Sequence, residues 1–238
     1  MRSPYGFDPN ENCQFCKQRT EGFFCQFSPA ATKDFSSVKS SASYPAGAVL
    51  FLEKQDPRGV FVLCAGQVKL SISSSGGKTL ILRIAKPGEI LGLMATMLGK
   101  PYEVTAETLH PCQVAFVRRE DFLHFVGKHP EVYQAVVRQL SMLYSGACDQ
   151  LRTVGLSASA PEKLARLLLD WSAEAKDGKQ GSQVKLPLTH EEIAEFIGTT
   201  RETVTRTLSD FKSRQLVALQ GSTLLISNRP ALESIGGA

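Results

Sequence analysis

LPLTHEEIAEFIGTTRETVTRTLSDFKSRQLV, residues 186–217, reads as two short helices around a tight turn. Thr189 stands where a helix N-cap belongs, and Glu192 three residues on completes the pattern of a capping box. Ile193, Ala194 and Ile197 give the first helix an apolar face, and Gly198 follows where a left-handed residue would end it. Thr200 caps a second helix, in which Val204, Leu208 and Phe211 recur at steps of four and three. A small residue, Ala194, lets the two helices cross closely, so the segment is predicted to be a helix-turn-helix. VALQGSTLLIS (217–227) reads as a β-hairpin, the wing of such a domain. Arg201, Glu202, Thr205 and Arg206 lie about one turn apart near the start of the second helix, the part that enters the DNA major groove. Arg can bond both O6 and N7 of guanine, and Glu can accept from the cytosine amino group. A solvated charged face is the competing explanation.

Working back toward the N-terminus, EKLARLLLDWSAEA (162–175) is helical, and KDGKQGSQ (176–183) is a polar loop. SASAP (157–161) breaks a preceding long helix in which Val136, Leu140, Leu143, Ala147, Gln150 and Val154 alternate at steps of four and three. That spacing is a coiled-coil seam, polar only at Gln150, and is expected to pair two chains, the alternative being a helix packed on its own β domain. From Val49 to about Arg118 the runs VLFLEK, GVFVLCAGQVKLSIS, TLILRIA and CQVAFVR are strand-like, broken by DPRG (56–59), SSSGGK (73–78) and KPGE (86–89). Strands this short and this evenly spaced predict an antiparallel barrel, roll or sandwich. KDFSSVKSSASYPAG (33–47) reads as a loop or short helix leading into it.

Composition sets the outer limits. The chain has 238 residues, 42% hydrophobic and 21% charged, enough for one large or two modest domains. Its longest apolar stretch, VFVLCA (60–65), is too short to cross a bilayer, and MRSPYGFDPNEN lacks the apolar core of a signal peptide, so a cytoplasmic protein without a membrane partner is expected. The net charge of +4 lies wholly before residue 158, because residues 158–238 carry ten basic and ten acidic side chains. Composition therefore does not itself indicate nucleic acid. No nucleophile–base pair, HExxH, P-loop or dinucleotide fingerprint is present, so no enzyme is expected.

TRETVTR and the preceding HEEIAEFIG resemble the recognition segment of the Crp/Fnr superfamily of bacterial transcription regulators. GQVKLSI (66–72) and PGEILGL (87–93) resemble two further landmarks of that family. The resemblance runs from about residue 20 to the end and implies an α+β chain. Residues 1–30 would be a cysteine-rich arm, 31–128 a β-roll sensor like the cyclic-nucleotide-binding jelly roll, 129–157 a dimerisation helix, and 158–238 a winged helix-turn-helix. It implies a homodimer acting on palindromic double-stranded DNA and RNA polymerase, with Val136, Leu140, Leu143, Ala147 and Val154 at the dimer seam. Half-sites would resemble TGTGA or TTGA.

The family resemblance also bears on NENCQFCKQRTEGFFCQFS (10–28), which holds three of the six cysteines. In a cytoplasmic chain, clustered cysteines point to metal or redox chemistry. The oxygen-sensing, fumarate and nitrate reduction branch of the family binds a [4Fe–4S] cluster through three N-terminal cysteines and one from the roll. TAETLHPCQVAFV (105–117) matches the segment that carries that fourth cysteine, so the resemblance implies Cys13, Cys16, Cys25 and Cys112 as cluster ligands. Phe15, Phe23, Phe24 and Phe27 would shield the cluster or pack the arm on the roll. Cys64 and Cys148 read as buried core thiols. The cyclic-nucleotide members carry an arginine for the phosphate, and none occurs from Ile84 to Val117, where Lys100 is the nearest substitute. A four-cysteine zinc site, a Cys13/Cys16 disulfide switch, haem on His110 or Cys112, a cyclic-nucleotide effector and an iron–sulfur electron carrier are the competing explanations.

Overall fold

The computed structural model describes residues 5–7, 13, 16, 25–156, 159–174, 183–185, 188–220 and 223–237. The fold is α+β and divides into two compact units, Met1–Gly77 with Leu82–Gly146 and Lys78–Ile81 with Ala147–Ala238.

The first unit opens on α1 (Pro29–Val38), with Ser28 as its N-cap and Pro29 in the first turn, where a missing N–H costs nothing. Eight strands follow: β1 (Ser40–Tyr44), β2 (Val49–Phe51), β3 (Gly59–Ala65), β4 (Val68–Ser73), β5 (Thr79–Ala85, of which Thr79–Ile81 belongs to the second unit), β6 (Ile90–Leu91), β7 (Thr105–Thr108) and β8 (Cys112–Arg118). Helix α2 (Leu93–Leu98) lies between β6 and β7, and α3 (Arg119–Lys128) and the start of α4 (Pro130–Leu156) close the unit. The strands form two antiparallel four-stranded sheets, ordered β1-β8-β3-β6 and β2-β7-β4-β5. Ser40–Tyr44 falls within the Ser-rich stretch read from sequence as loop or short helix. It forms an edge strand instead, because pairing with β8 supplies what its weak β-propensity does not.

Side-chain alternation along β3 and β8 sorts residues onto two faces. Phe61, Leu63, Cys112 and Val114 point between the sheets, where they meet Phe51, Val68, Leu70 and Ala106. Val60, Val62, Ala115 and Val117 point the other way and are covered by Phe35 of α1, Phe122 and Phe125 of α3, and Val132 and Val136 of α4. Gly59 is required where β3 meets β8, since an added Cβ would lie 2.0 Å from the Val117 carbonyl oxygen. Buried Gln139 of α4 ties the long helix to β6: its Oε1 accepts from the Ile90 N–H (3.1 Å) and its Nε2 donates to the Ile90 carbonyl (2.6 Å).

The second unit contains α5 (Ala160–Glu174), β9 (Gln183–Lys185), α6 (His190–Ile197), α7 (Arg201–Ser213), β10 (Val217–Gln220), β11 (Thr223–Ile226) and α8 (Arg229–Gly236). β10 and β11 form the expected hairpin, and β9, unforeseen in the sequence, joins it as a third strand. Trp171 of α5 meets Phe196 of α6 edge-on at 6.1 Å between ring centroids.

Candidate nucleic-acid interface and thiol site

The helix-turn-helix is built by its caps. The Thr189 side chain accepts from the Glu192 N–H, and the Glu192 carboxylate accepts from the Thr189 N–H at 2.9 Å, so both halves of the capping box are present. Gly198 ends α6 with φ of +68°, and Thr200 accepts from the Thr203 N–H to start α7. Ile193, Ala194, Ile197, Val204, Leu208 and Phe211 are buried between the helices and α5.

Arg201, Glu202, Thr205 and Arg206 are all exposed at the N-terminal end of α7. Their roles separate once hydrogen bonds are traced. The Thr205 hydroxyl donates to the Arg201 carbonyl (2.9 Å) and meets Nδ1 of His190 at 2.9 Å, so it ties α7 to the start of α6. His190 had no signal in the sequence beyond its place after the cap. The Glu202 carboxyl is held below the usual range, first by its own backbone N–H and then by Thr200. The two arginines remain as long exposed donors.

The thiols are sorted by the faces of the first sheet. Cys13, Cys16, Cys25 and Cys64 line one pocket together with Phe27, Phe35 and Lys39. Its volume, about 40 Å³, is far below the roughly 300–1,000 Å³ of organic-ligand sites. Among the described residues no three His, Cys, Asp or Glu side chains are already placed to hold a metal ion. Burial pushes the Cys64 thiol up to about 12, with the nearby Cys25 adding to the rise.

Cys112 is not in this pocket. It is fully buried between the two sheets, with its Sγ donating to the His110 carbonyl (3.1 Å) and lying 3.4 Å from the Gln67 carbonyl. Burial raises its pKa as well. The expectation that joined Cys112 to the arm cysteines thus places it on the wrong face of β8, where its neighbour Gln113 lines the pocket instead. Cys64, read from sequence as a core thiol, is the roll cysteine on the pocket side. Phe15, Phe23 and Phe24 lie outside the described residues. Phe27 packs edge-on against Phe125 at 6.1 Å.

Two family models match the chain: a cyclic nucleotide-binding domain over residues 41–129 and a Crp-like helix-turn-helix domain over residues 162–235. The chain belongs to the Crp/Fnr family of transcription regulators. It is 24% identical over 212 residues to the CRP-like cAMP-activated global transcriptional regulator of Mycobacterium tuberculosis, covering 89% of this chain and 94% of that protein. It is 25% identical over 194 residues to the fumarate and nitrate reduction regulatory protein of Shigella dysenteriae, covering 80% and 76%. The structure of FixK2 from Bradyrhizobium japonicum superposes with a TM-score of 0.74 at 23% identity, covering 84% of this chain and 98% of that one, a likeness of fold. The family is one of regulators, not enzymes, and no described helix is long and apolar enough to cross a membrane.

Crp/Fnr regulators act as dimers, and the spacing in the sequence predicts the seam of the pair on α4. Of the seam residues expected from sequence, Val136 is buried in its own roll core and Leu143 is half-buried. Gln150 donates to the Phe196 carbonyl at 2.8 Å within the second unit. Exposed apolar residues sit one position further on at Tyr133, Val137, Tyr144 and Leu151, while Met142 and Leu156 are exposed off this spacing. With Leu140, Ala147 and Val154 they form an uninterrupted four–three repeat, Tyr133-Val137-Leu140-Tyr144-Ala147-Leu151-Val154. Two registers overlapped in the sequence, and packing of Val132, Val136 and Gln139 on the roll assigns one of them inward.

Proposed function

We propose that this Crp/Fnr regulator is a cytoplasmic homodimer that reads a palindromic operator with Arg201, Glu202 and Arg206, contacts RNA polymerase, and senses oxygen or redox state through a [4Fe–4S] cluster held by Cys13, Cys16, Cys25 and a cysteine of the roll. The observation that carries the sensing is the convergence of three arm thiols and one sheet thiol on a single pocket. Four thiolates are the donor set a cubane needs, one per iron. When bound, the cluster supplies an oxygen-labile cross-link between arm and roll.

What the chain's own residues do is couple the arm to α4. Two residues after Cys25 comes Phe27, packed on Phe125, and then Ser28, whose Oγ donates to Oε1 of Glu131 at 2.6 Å in the first turn of α4. Asp34 of α1 takes Lys128 Nζ at 2.7 Å and His129 Nε2 at 2.8 Å, just before α4 begins. The Lys128 ammonium and His129 beside it hold the Asp34 carboxyl below its usual range. This second tie is therefore complete above the ordinary carboxylate range and weakens as pH falls through the lowered Asp34 pKa. Fixing the arm fixes Ser28, and Ser28 biases how α4 leaves the roll. A differential of a few kcal/mol between two arrangements suffices for a switch.

Glu131→Ala removes the acceptor while leaving the thiols intact. The variant is expected to bind iron like wild type but to lose most of the difference in operator affinity between anaerobic and air-exposed protein, measured by fluorescence anisotropy. An unchanged difference would remove Ser28–Glu131 from the coupling.

The cofactor is tested by purification under nitrogen with iron, sulfide and zinc analysis and an optical spectrum. Four irons and four sulfides per chain, with visible absorption bleached by air, are expected. A colourless, air-stable zinc protein would overturn the reading. A second cavity of about 360 Å³, lined by Tyr44, Phe51, Arg58, Phe61, Tyr102 and Phe116, is of organic-ligand size. It keeps a small-molecule effector as the second reading, and calorimetry with cyclic AMP tests it. Glu89 of the Gly88-Glu89 segment is engaged by Arg83 and by the Lys86 N–H rather than turned to a ligand.

A further inference from the structure

β3 runs GVFVLCA, and its pairing with β8 is regular from Gly59↔Arg118 to Leu63↔Val114. The next pair is Ala65↔Gln113, so two steps on β3 answer one on β8 and Cys64 is the inserted residue. Bulges of this kind are frequent beside functional sites. Strand alternation sets Cys64 on the outer face with Val60 and Val62, where it lines the pocket with Cys13, Cys16 and Cys25 of the arm, and the bulge leaves it outside the regular ladder with β8. Lys39, at the turn between α1 and β1, lines the same pocket and brings a positive charge to a place where several thiolates would gather.

Cys112 has none of these features. Its neighbours are the interior residues of the roll, and its Sγ is fixed against two backbone carbonyls. Gly66 is pressed against it, since a Cβ there would lie 2.5 Å from the sulfur. Bringing Cys112 to the arm would require slipping β8 by one residue, which would turn every core side chain of that strand outward.

We propose that the fourth thiolate of the cluster site is Cys64, and that Cys112 is a packing thiol. The assignment rests on the cluster reading above and narrows it, because it moves the roll's contribution from the start of β8 to the bulge at the end of β3. The cross-link then joins the arm to the outer face of the sheet, the face that α1, α3 and the start of α4 cover.

The test is full-length protein purified under nitrogen as wild type, Cys64→Ser, Cys64→Ala, Cys112→Ser and Cys112→Ala. Iron, sulfide and visible absorption are measured on each, with far-UV circular dichroism to establish folding. Both Cys64 variants are expected to be folded and to lose most of their iron and sulfide, whereas a folded Cys112 variant retains wild-type content. Wild-type content in folded Cys64→Ser or Cys64→Ala protein overturns the assignment, and so does loss of the cluster from Cys112→Ala protein with wild-type dichroism. If the wild-type protein itself binds no iron, the cluster reading falls and the assignment falls with it. An iron-loaded wild type with an unaffected Cys64 variant defeats the assignment alone.

Discussion

Tyr144→Glu is expected to yield a monomer that binds operator DNA on the order of a hundredfold more weakly than wild type, or worse. Tyr144 is 75% exposed at the middle of the seven-residue apolar repeat on α4, flanked by Val137 at 45% and Leu151 at 71%. Side chains this apolar and this open are unusual unless something covers them. In a parallel pair each seam residue meets its own copy, so a glutamate there places two like charges against each other out of water. Losing the pair separates the two recognition helices, and half of the phosphate and base contacts go with them. Ser145→Glu is the control, because Ser145 is exposed on the same turn but points away from the seam. It should leave the dimer intact. Sedimentation velocity reads the result directly, and a dimeric Tyr144→Glu protein would refute the seam. Leu143, the residue that the overlapping register would select, is half-buried, and its substitution should show first as lost stability.

Arg206→Ala is expected to cost about 1–3 kcal/mol at one guanine in each half-site. A dimer reads two half-sites, so the whole operator should lose roughly 2–6 kcal/mol if the contacts are independent. The signature is a loss of discrimination as well as of affinity. Replacing the contacted guanine should weaken wild type and leave Arg206→Ala nearly unaffected. Thr205→Val should act differently, because the Thr205 hydroxyl is engaged with Arg201 and His190. Its removal disturbs how α7 seats on α6 and should lower stability and affinity together without changing the preferred base. Anisotropy titrations at one fixed salt concentration decide the matter, and undiminished discrimination by Arg206→Ala would exclude it as a base reader.

The parts legible in the sequence were those set by local chemistry. Thr189, Glu192, Gly198 and Thr200 define helix ends by side-chain and backbone preferences alone, and the structure shows each cap. The β-rich texture of residues 49–118 likewise fixed the class of the first unit. Illegible were the features that depend on which side of an element meets which neighbour. Cys64 and Cys112 look alike as cysteines in apolar strands, and only alternation in the β3–β8 register, which faces Cys64 with Val62 and Cys112 with Val114, sends them to opposite sides of the sheet. Val136 and Val137 are equally apolar, and only Val132, Val136 and Gln139 on the roll decide which register of α4 is left open. Ser28 and Glu131 are 103 residues apart, with no pattern linking them until the chain is folded.

Whether the thiol site governs DNA binding is decided by one paired titration. Operator affinity is measured on one preparation purified under nitrogen, then again after exposure to air, with iron, sulfide and sedimentation followed in the same samples. Iron and sulfide should be lost, the dimer weaken and affinity fall together, and rebuilding the cluster under nitrogen should restore all three. Equal affinity before and after air, in protein whose iron and sulfide have been lost, would contradict it.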